Sequence, residues 1–113
     1  MSDDVIFHTR ELASAILDSE EYQTLLKYEE QLKERPDLRE KIDHFRDKSY
    51  RLQLQEGIDA FEEVDKLDQE SLQLRGDTLA NAYLESELTF CRMMQSIQVD
   101  LVKNLDISIP DEI

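Results

Sequence analysis

The sequence predicts an all-α protein, an antiparallel bundle of about five helices that closes with a long C-terminal helix and assembles into oligomers. Three observations carry this. The chain has two Gly and two Pro in 113 residues, too few to punctuate many short elements. It is rich in Leu, Glu, Gln, Lys and Arg, which lose little side-chain freedom in a helix. Its apolar residues recur three and four apart, the period of one helix face. The length suits a single domain over residues 1–113, large enough for a core yet small enough for partner subunits to supply part of the buried surface.

The pattern predicts a first helix over Asp4 to Leu17, with Val5, Ile6, Leu12, Ala13, Ile16 and Leu17 on one face. Asp3 and Asp4 place negative charge at its N-terminus, where the helix dipole favours it. Ser19 is a candidate cap for a second helix whose first turn holds Glu20 and Glu21 and whose stripe is Tyr22, Leu25, Leu26, Glu29 and Leu32. Pro36 disfavours helix at the residue before it, so the break falls near Glu34 and Arg35. A third helix begins at Pro36-Asp37 and shows Leu38, Ile42, Phe45, Ser49 and Leu52 as a short heptad-like seam. Gly57 is its expected stop and Asp59 the cap of a fourth helix, buried through Phe61, Val64, Leu67, Ser71 and Leu74.

Gly76-Asp77 ends the fourth helix, and Asp77 or Thr78 caps the fifth. The stretch from Thr78 to Leu105 has neither Gly nor Pro, which makes a helix about 40 Å long. Leu79, Tyr83, Phe90, Met94, Ile97, Leu101 and Leu105 form its stripe, widened by Ala80, Leu84, Leu88, Cys91, Val99 and Val102. So wide a stripe is to be buried on more than one side. Tyr83, Phe90, Met94, Ile97 and Leu101 are therefore the candidate oligomer interface. Beyond it, Asp106, Ile107, Ser108, Ile109 and Pro110 make an alternating tail too short for an independent strand.

A net charge of −14 repels phosphate backbones, so the expected partners are another copy of the chain, as a dimer or higher, and a protein with a basic surface, without direct nucleic-acid binding. The charge is unevenly spread. Residues 36–57 balance five acids with five bases, which makes Arg39, Lys41, Arg46, Lys48 and Arg51 candidates for electrostatic contact with acidic helices. The plainer reading of the same residues is a solvated face with local ion pairs around Asp43, Asp47 and Lys48. One cysteine, Cys91, suits a reducing compartment. Met1-Ser2-Asp3-Asp4 is acidic where a secretory leader is basic, and no apolar run approaches ~18 residues, so a cytoplasmic protein without a membrane span is expected.

Catalytic patterns are missing from the sequence. His8 and His44 lie on different predicted helices, and no Cys/His spacing resembles a zinc site. Glu87 lies four residues before Cys91, but a neighbouring carboxylate raises a thiol pKa, which is wrong for a nucleophile. Glu85 and Glu87 are two apart and point to different sides of a helix. No glycine-rich phosphate loop or Gly-x-Ser-x-Gly pattern occurs. A non-enzymatic protein without cofactor or metal is expected. The alternative function is a carrier of a small apolar ligand between helices along Phe90, Met94 and Ile97.

Glu11-Leu12-Ala13, then Ile16 to Tyr22, Pro36 to Phe45, Gly57, and Ala82-Tyr83-Leu84-Glu85-Ser86-Glu87 entering a long apolar helix resemble, in that order, the YlbF/YmcA (YheA-like) family of small bacterial proteins. The likeness spans nearly the whole chain and rests on helix-packing patterns. It implies an oligomeric all-α protein of the Gram-positive cytoplasm. Better-known members are non-enzymatic regulators of competence, sporulation and biofilm formation, acting in a complex with a third protein that influences RNA processing through an endoribonuclease. Members of that complex are associated with iron–sulfur clusters held by cysteines. With Cys91 as its one cysteine, this chain lacks the several thiolates such a cluster needs, so that property is not carried over.

Overall fold

The computed structural model describes residues 2–54 and 60–105. Five helices follow one another: α1 (Asp3–Asp18), α2 (Glu20–Leu32), α3 (Pro36–Leu54), α4 (Ala60–Arg75) and α5 (Thr78–Leu105). The all-α expectation is met, and the expected starts and stops fall within a residue or two of those observed. The stop at Gly57, the cap at Asp59 and the tail from Asp106 to Pro110 lie outside the described residues.

Each observed boundary has a local cause. Between α1 and α2 the extended Ser19 accepts the Tyr22 N–H on its hydroxyl oxygen at 3.2 Å and donates that hydroxyl to the Ile16 carbonyl at 2.6 Å. One serine thus closes the first helix and opens the second. α2 unwinds after Leu32 through tighter bonds, Lys33 N–H to the Glu30 carbonyl and Arg35 N–H to the Leu32 carbonyl, before Pro36 begins α3. α4 ends where the Gly76 N–H is shared between the Leu72 and Gln73 carbonyls at 3.1 and 3.2 Å. A Cβ at Gly76 would sit 3.2 Å from the Gln73 carbonyl oxygen, tighter than ordinary contact, so the turn favours a residue without a side chain.

The chain divides into two compact units. The unit from Leu26 to Leu84 holds the apolar core: Leu32, Leu38, Ile42, Leu74, Ala80 and Tyr83 are all buried. Leu38 and Ile42 head the predicted seam of α3, and Phe45, Ser49 and Leu52 continue it half-buried, with α4 packed alongside. The predicted stripe of α4 holds only in part. Leu74 is buried and Leu67 and Ser71 are half-buried, but Phe61 is 85% exposed and Val64 45%. Periodicity gives the face a helix would bury and not how far along the helix a neighbour reaches.

The other unit, from the N-terminus to Leu25 and from Glu85 on, is different in kind. Among its described residues the one that is buried is Ser86. In α1, Ile6 and Ile16 are half-buried, while Val5, Phe7, Leu12 and Leu17 are exposed. In α5, Phe90, Met93, Ile97 and Val102 are half-buried, and Leu88, Cys91, Met94, Val99, Leu101 and Leu105 are exposed. Among the described residues no helix is long and apolar enough to cross a membrane.

Asp77 fixes the junction of α4 and α5. Its Oδ1 accepts the Leu79 and Ala80 N–H groups at 3.0 and 3.1 Å, capping α5, and the same carboxylate takes both arms of Arg35 at 3.1 and 2.7 Å. The fork-shaped pair joins the turn before α3 to the turn before α5 across 42 residues of sequence. Arg35 and the two amide donors hold the Asp77 carboxyl below the usual carboxylate range. A folded-state value below the unfolded one stabilises the protein above roughly pH 4, and that contribution is lost as pH falls through the folded value. Asp77→Ala removes cap and pair together and is expected to cost about 1–2 kcal/mol in denaturant unfolding. Asp77→Asn keeps a good cap and is expected to lose only the pair, up to about 1 kcal/mol. Its deficit against the native chain should shrink as both are acidified below pH 4, read by unfolding at successive pH values.

Candidate functional site

Within the Leu26–Leu84 unit, the charged side chains of α3 act mainly on their own chain. Arg39 and Arg46 are seven residues apart and so share a helix face. Both reach the phenol of Tyr83, which is 2% exposed. Arg39 Nη1 donates to the Tyr83 hydroxyl oxygen at 3.3 Å and Arg46 Nη2 at 3.5 Å, with the guanidinium carbons 5.3 and 5.8 Å from the ring centre. Those distances permit cation–π attraction as well as hydrogen bonding. The arrangement lets a large aromatic ring be buried while its polar end is satisfied. Among the described residues no buried side-chain nitrogen or oxygen is left without a partner.

The other three candidate cations have different places. Lys48 pairs with Glu70 of α4 at 3.2 Å, an ion pair within the chain. Arg51 pairs with Asp47 at 3.2 Å and Arg39 with Asp43 at 3.3 Å, both four residues away on α3. Lys41 lines an open groove of about 810 Å³ whose floor includes Leu38 and Leu74 and whose wall includes Lys66, Glu70 and Asp77. The groove mixes both charge signs and has no convergent set of one sign that would select an anion or a cation.

The candidate interface residues are likewise dispersed. Tyr83 lies in the buried core of its unit, between Arg39 and Arg46. Phe90 is half-buried with its ring 5.8 Å from that of Tyr22, and Ile97 is half-buried. Met94 and Leu101 are 37% and 52% exposed. The depression that includes Ile97 is lined by Met93, Ser96, Ile97, Val99, Asp100 and Lys103, residues of α5 alone. Among the described residues no second helix lines that depression.

Among the described residues no group of three or more His, Cys, Asp or Glu comes together as a metal site. His8 is exposed and pairs with Glu11 three residues on at 2.6 Å. Cys91 is an exposed thiol. The bidentate Arg35–Asp77 pair was not legible in the sequence, where Arg35 marked a helix break and Asp77 a cap. The heptad spacing of Arg39 and Arg46 is the signal that could have assigned them to one partner.

These features define an all-α protein whose charged side chains largely hold its own helices and whose exposed apolar side chains run along α1 and the later part of α5, with Leu54, Phe61, Val64 and Leu72 exposed on α3 and α4. The chain belongs to the YlbF/YmcA family: the family model described as control of competence regulator ComK, YlbF/YmcA, matches residues 5–106. No curated protein and no solved structure matches the chain. The family is a regulatory one.

Tyr83→Phe keeps the ring and removes the acceptor of two arginines, with an expected loss of about 0.5–1.5 kcal/mol in denaturant unfolding. Tyr83→Ala empties the site and should cost about 3–5 kcal/mol. Equal losses for the two variants would show that the phenol oxygen, and not the ring, carries the stabilisation.

Proposed function

We propose that this chain is a non-enzymatic, homo-oligomeric helical adaptor, a regulator that works in the cytoplasm through protein–protein contacts. The observation that carries the reading is that, among the described residues, no apolar side chain is buried in the unit formed by α1, the start of α2 and the later part of α5. Fully burying one Leu or Val is worth about 1.5–3 kcal/mol. Leu88, Met94, Val99, Leu101 and Leu105 on α5, with Val5, Phe7, Leu12 and Leu17 on α1, are 37 to 60% exposed and forgo about half of that as single chains. Exposed apolar surface on this scale is what an interaction site presents.

Membership of a family described by control of a competence regulator supports a regulatory role. The charge of −14 directs recruitment toward a basic protein, and any influence on RNA processing is then indirect, through that protein. The carrier reading receives less support, because the depression at Ile97 is formed by one helix and not enclosed between two.

Light scattering or sedimentation at micromolar concentration should find a dimer or larger species, and a stable compact monomer would sink the proposal. Met94→Glu places a charge on the exposed apolar face. It is expected to shift assembly toward monomer at least tenfold in dissociation constant while circular dichroism stays unchanged, since Met94 is not part of the buried core.

A further inference from the structure

The later part of α5 is apolar over more than one face. Phe90, Met93 and Ile97, half-buried in their own chain, mark one side. On another face, Leu88, Cys91, Gln95, Gln98, Val102 and Leu105 follow one another at alternating intervals of three and four, the spacing of the a and d positions of a heptad repeat. All six are exposed except Val102, which is half-buried. Met94, Val99 and Leu101, exposed by 37, 55 and 52%, flank the row. The row reads the same from either end: leucine, a small apolar residue, glutamine, then glutamine, a small apolar residue, leucine.

We propose that this row is a two-fold seam on which a second copy of the chain lays its own α5 antiparallel. The inference rests on the homo-oligomeric reading above and adds its geometry. About an axis between Gln95 and Gln98, Leu88 meets the partner's Leu105, Cys91 meets the partner's Val102, and Gln95 meets the partner's Gln98. On the flank, Met94 meets the partner's Leu101. The glutamines pair donor with acceptor at the centre, so each amide is satisfied only in this register. A slip of one heptad sets Leu88 against the partner's Gln98 and leaves amides buried without partners. The seam runs about 26 Å, and its symmetry closes the assembly at two copies.

Charge favours a second copy over a basic partner on this face. Between residues 88 and 105 the one acid is Asp100, against Arg92 and Lys103, in a chain carrying −14. Two copies repel each other little here, and a basic protein finds no complement. Direction follows from two further points. Antiparallel helices oppose their dipoles, whereas parallel ones align them. A parallel pair would be rewarded by contact between Glu87 and the partner's Arg92, but Glu87 is already engaged within its own chain.

Cys91 is the one cysteine, so cross-linking reads the register directly. Val102→Cys places a second thiol opposite Cys91 of the partner subunit, within the reach of a disulfide. Mild oxidation should convert most of this variant to covalent dimer and leave the native chain uncross-linked. Cys91→Ser with Leu88→Cys and Leu105→Cys samples another layer of the same seam and should cross-link likewise. Ready cross-linking of the native chain would mean a parallel seam and overturn the proposal. A dimer by light scattering that cross-links in neither variant would overturn the register and leave the adaptor reading intact. A monomer by light scattering would overturn both.

Discussion

The apolar circumference of α5 is the constraint on which the rest depends. A helix whose leucines, valines and methionines fill more than one face cannot satisfy all of them against a few short neighbours, because each neighbour covers one stripe. The chain meets this unevenly. At the start of α5, Ala80 and Tyr83 are buried and Leu79 and Leu84 half-buried. From Leu88 onward Phe90, Met93, Ile97 and Val102 are half-buried, and Leu88, Met94, Val99, Leu101 and Leu105 stay exposed. The difference lies in what surrounds the helix and not in its own apolar content, which is similar along its length.

Two polar devices hold the start of α5 in place. Asp77 caps it and grips Arg35, and Tyr83 brings its hydroxyl to Arg39 and Arg46. Each joins residues more than 35 positions apart, so they oppose the chain entropy that separates distant helices. Neither pair is deeply buried at its charged end: Arg35 is 49% exposed and Arg39 37%. Partly wet contacts of this kind, the Arg35–Asp77 ion pair and the arginine–phenol bonds, avoid most of the desolvation cost of a buried charge and contribute modestly. The apolar core beside them supplies the larger share of stability, and the polar contacts set which helices meet and where.

What the sequence made legible follows the same division. Helix limits were readable because their causes are local: a serine hydroxyl at Ser19, a ring at Pro36, a carboxylate at Asp77. The seam of α3 was readable through its spacing, and Leu38 and Ile42 are buried as it implied. Contacts between distant residues were not. Tyr83 is apolar enough to belong to any stripe, and only the approach of Arg39 and Arg46 makes it a core residue. Phe61 and Val64 continue the α4 pattern faultlessly and are nonetheless exposed, because a stripe on one helix carries no information about where its neighbour stops.

Surface charge and apolar area are separated along the chain, and that separation bears on how an adaptor can hold two partners at once. The net negative charge lies outside residues 36–57, where five acids meet five bases, and outside the later part of α5. Contacts made through acidic surface weaken as salt rises, whereas contacts made by burying leucine, valine and methionine do not. In the proposed assembly, self-association along α5 therefore persists under conditions that release a basic partner, and recruitment can vary without the oligomer coming apart. Pairing through α5 also presents the acidic residues of two chains together. A basic protein then meets twice the charge that one copy offers, which raises its association rate and retention without any new contact in either chain.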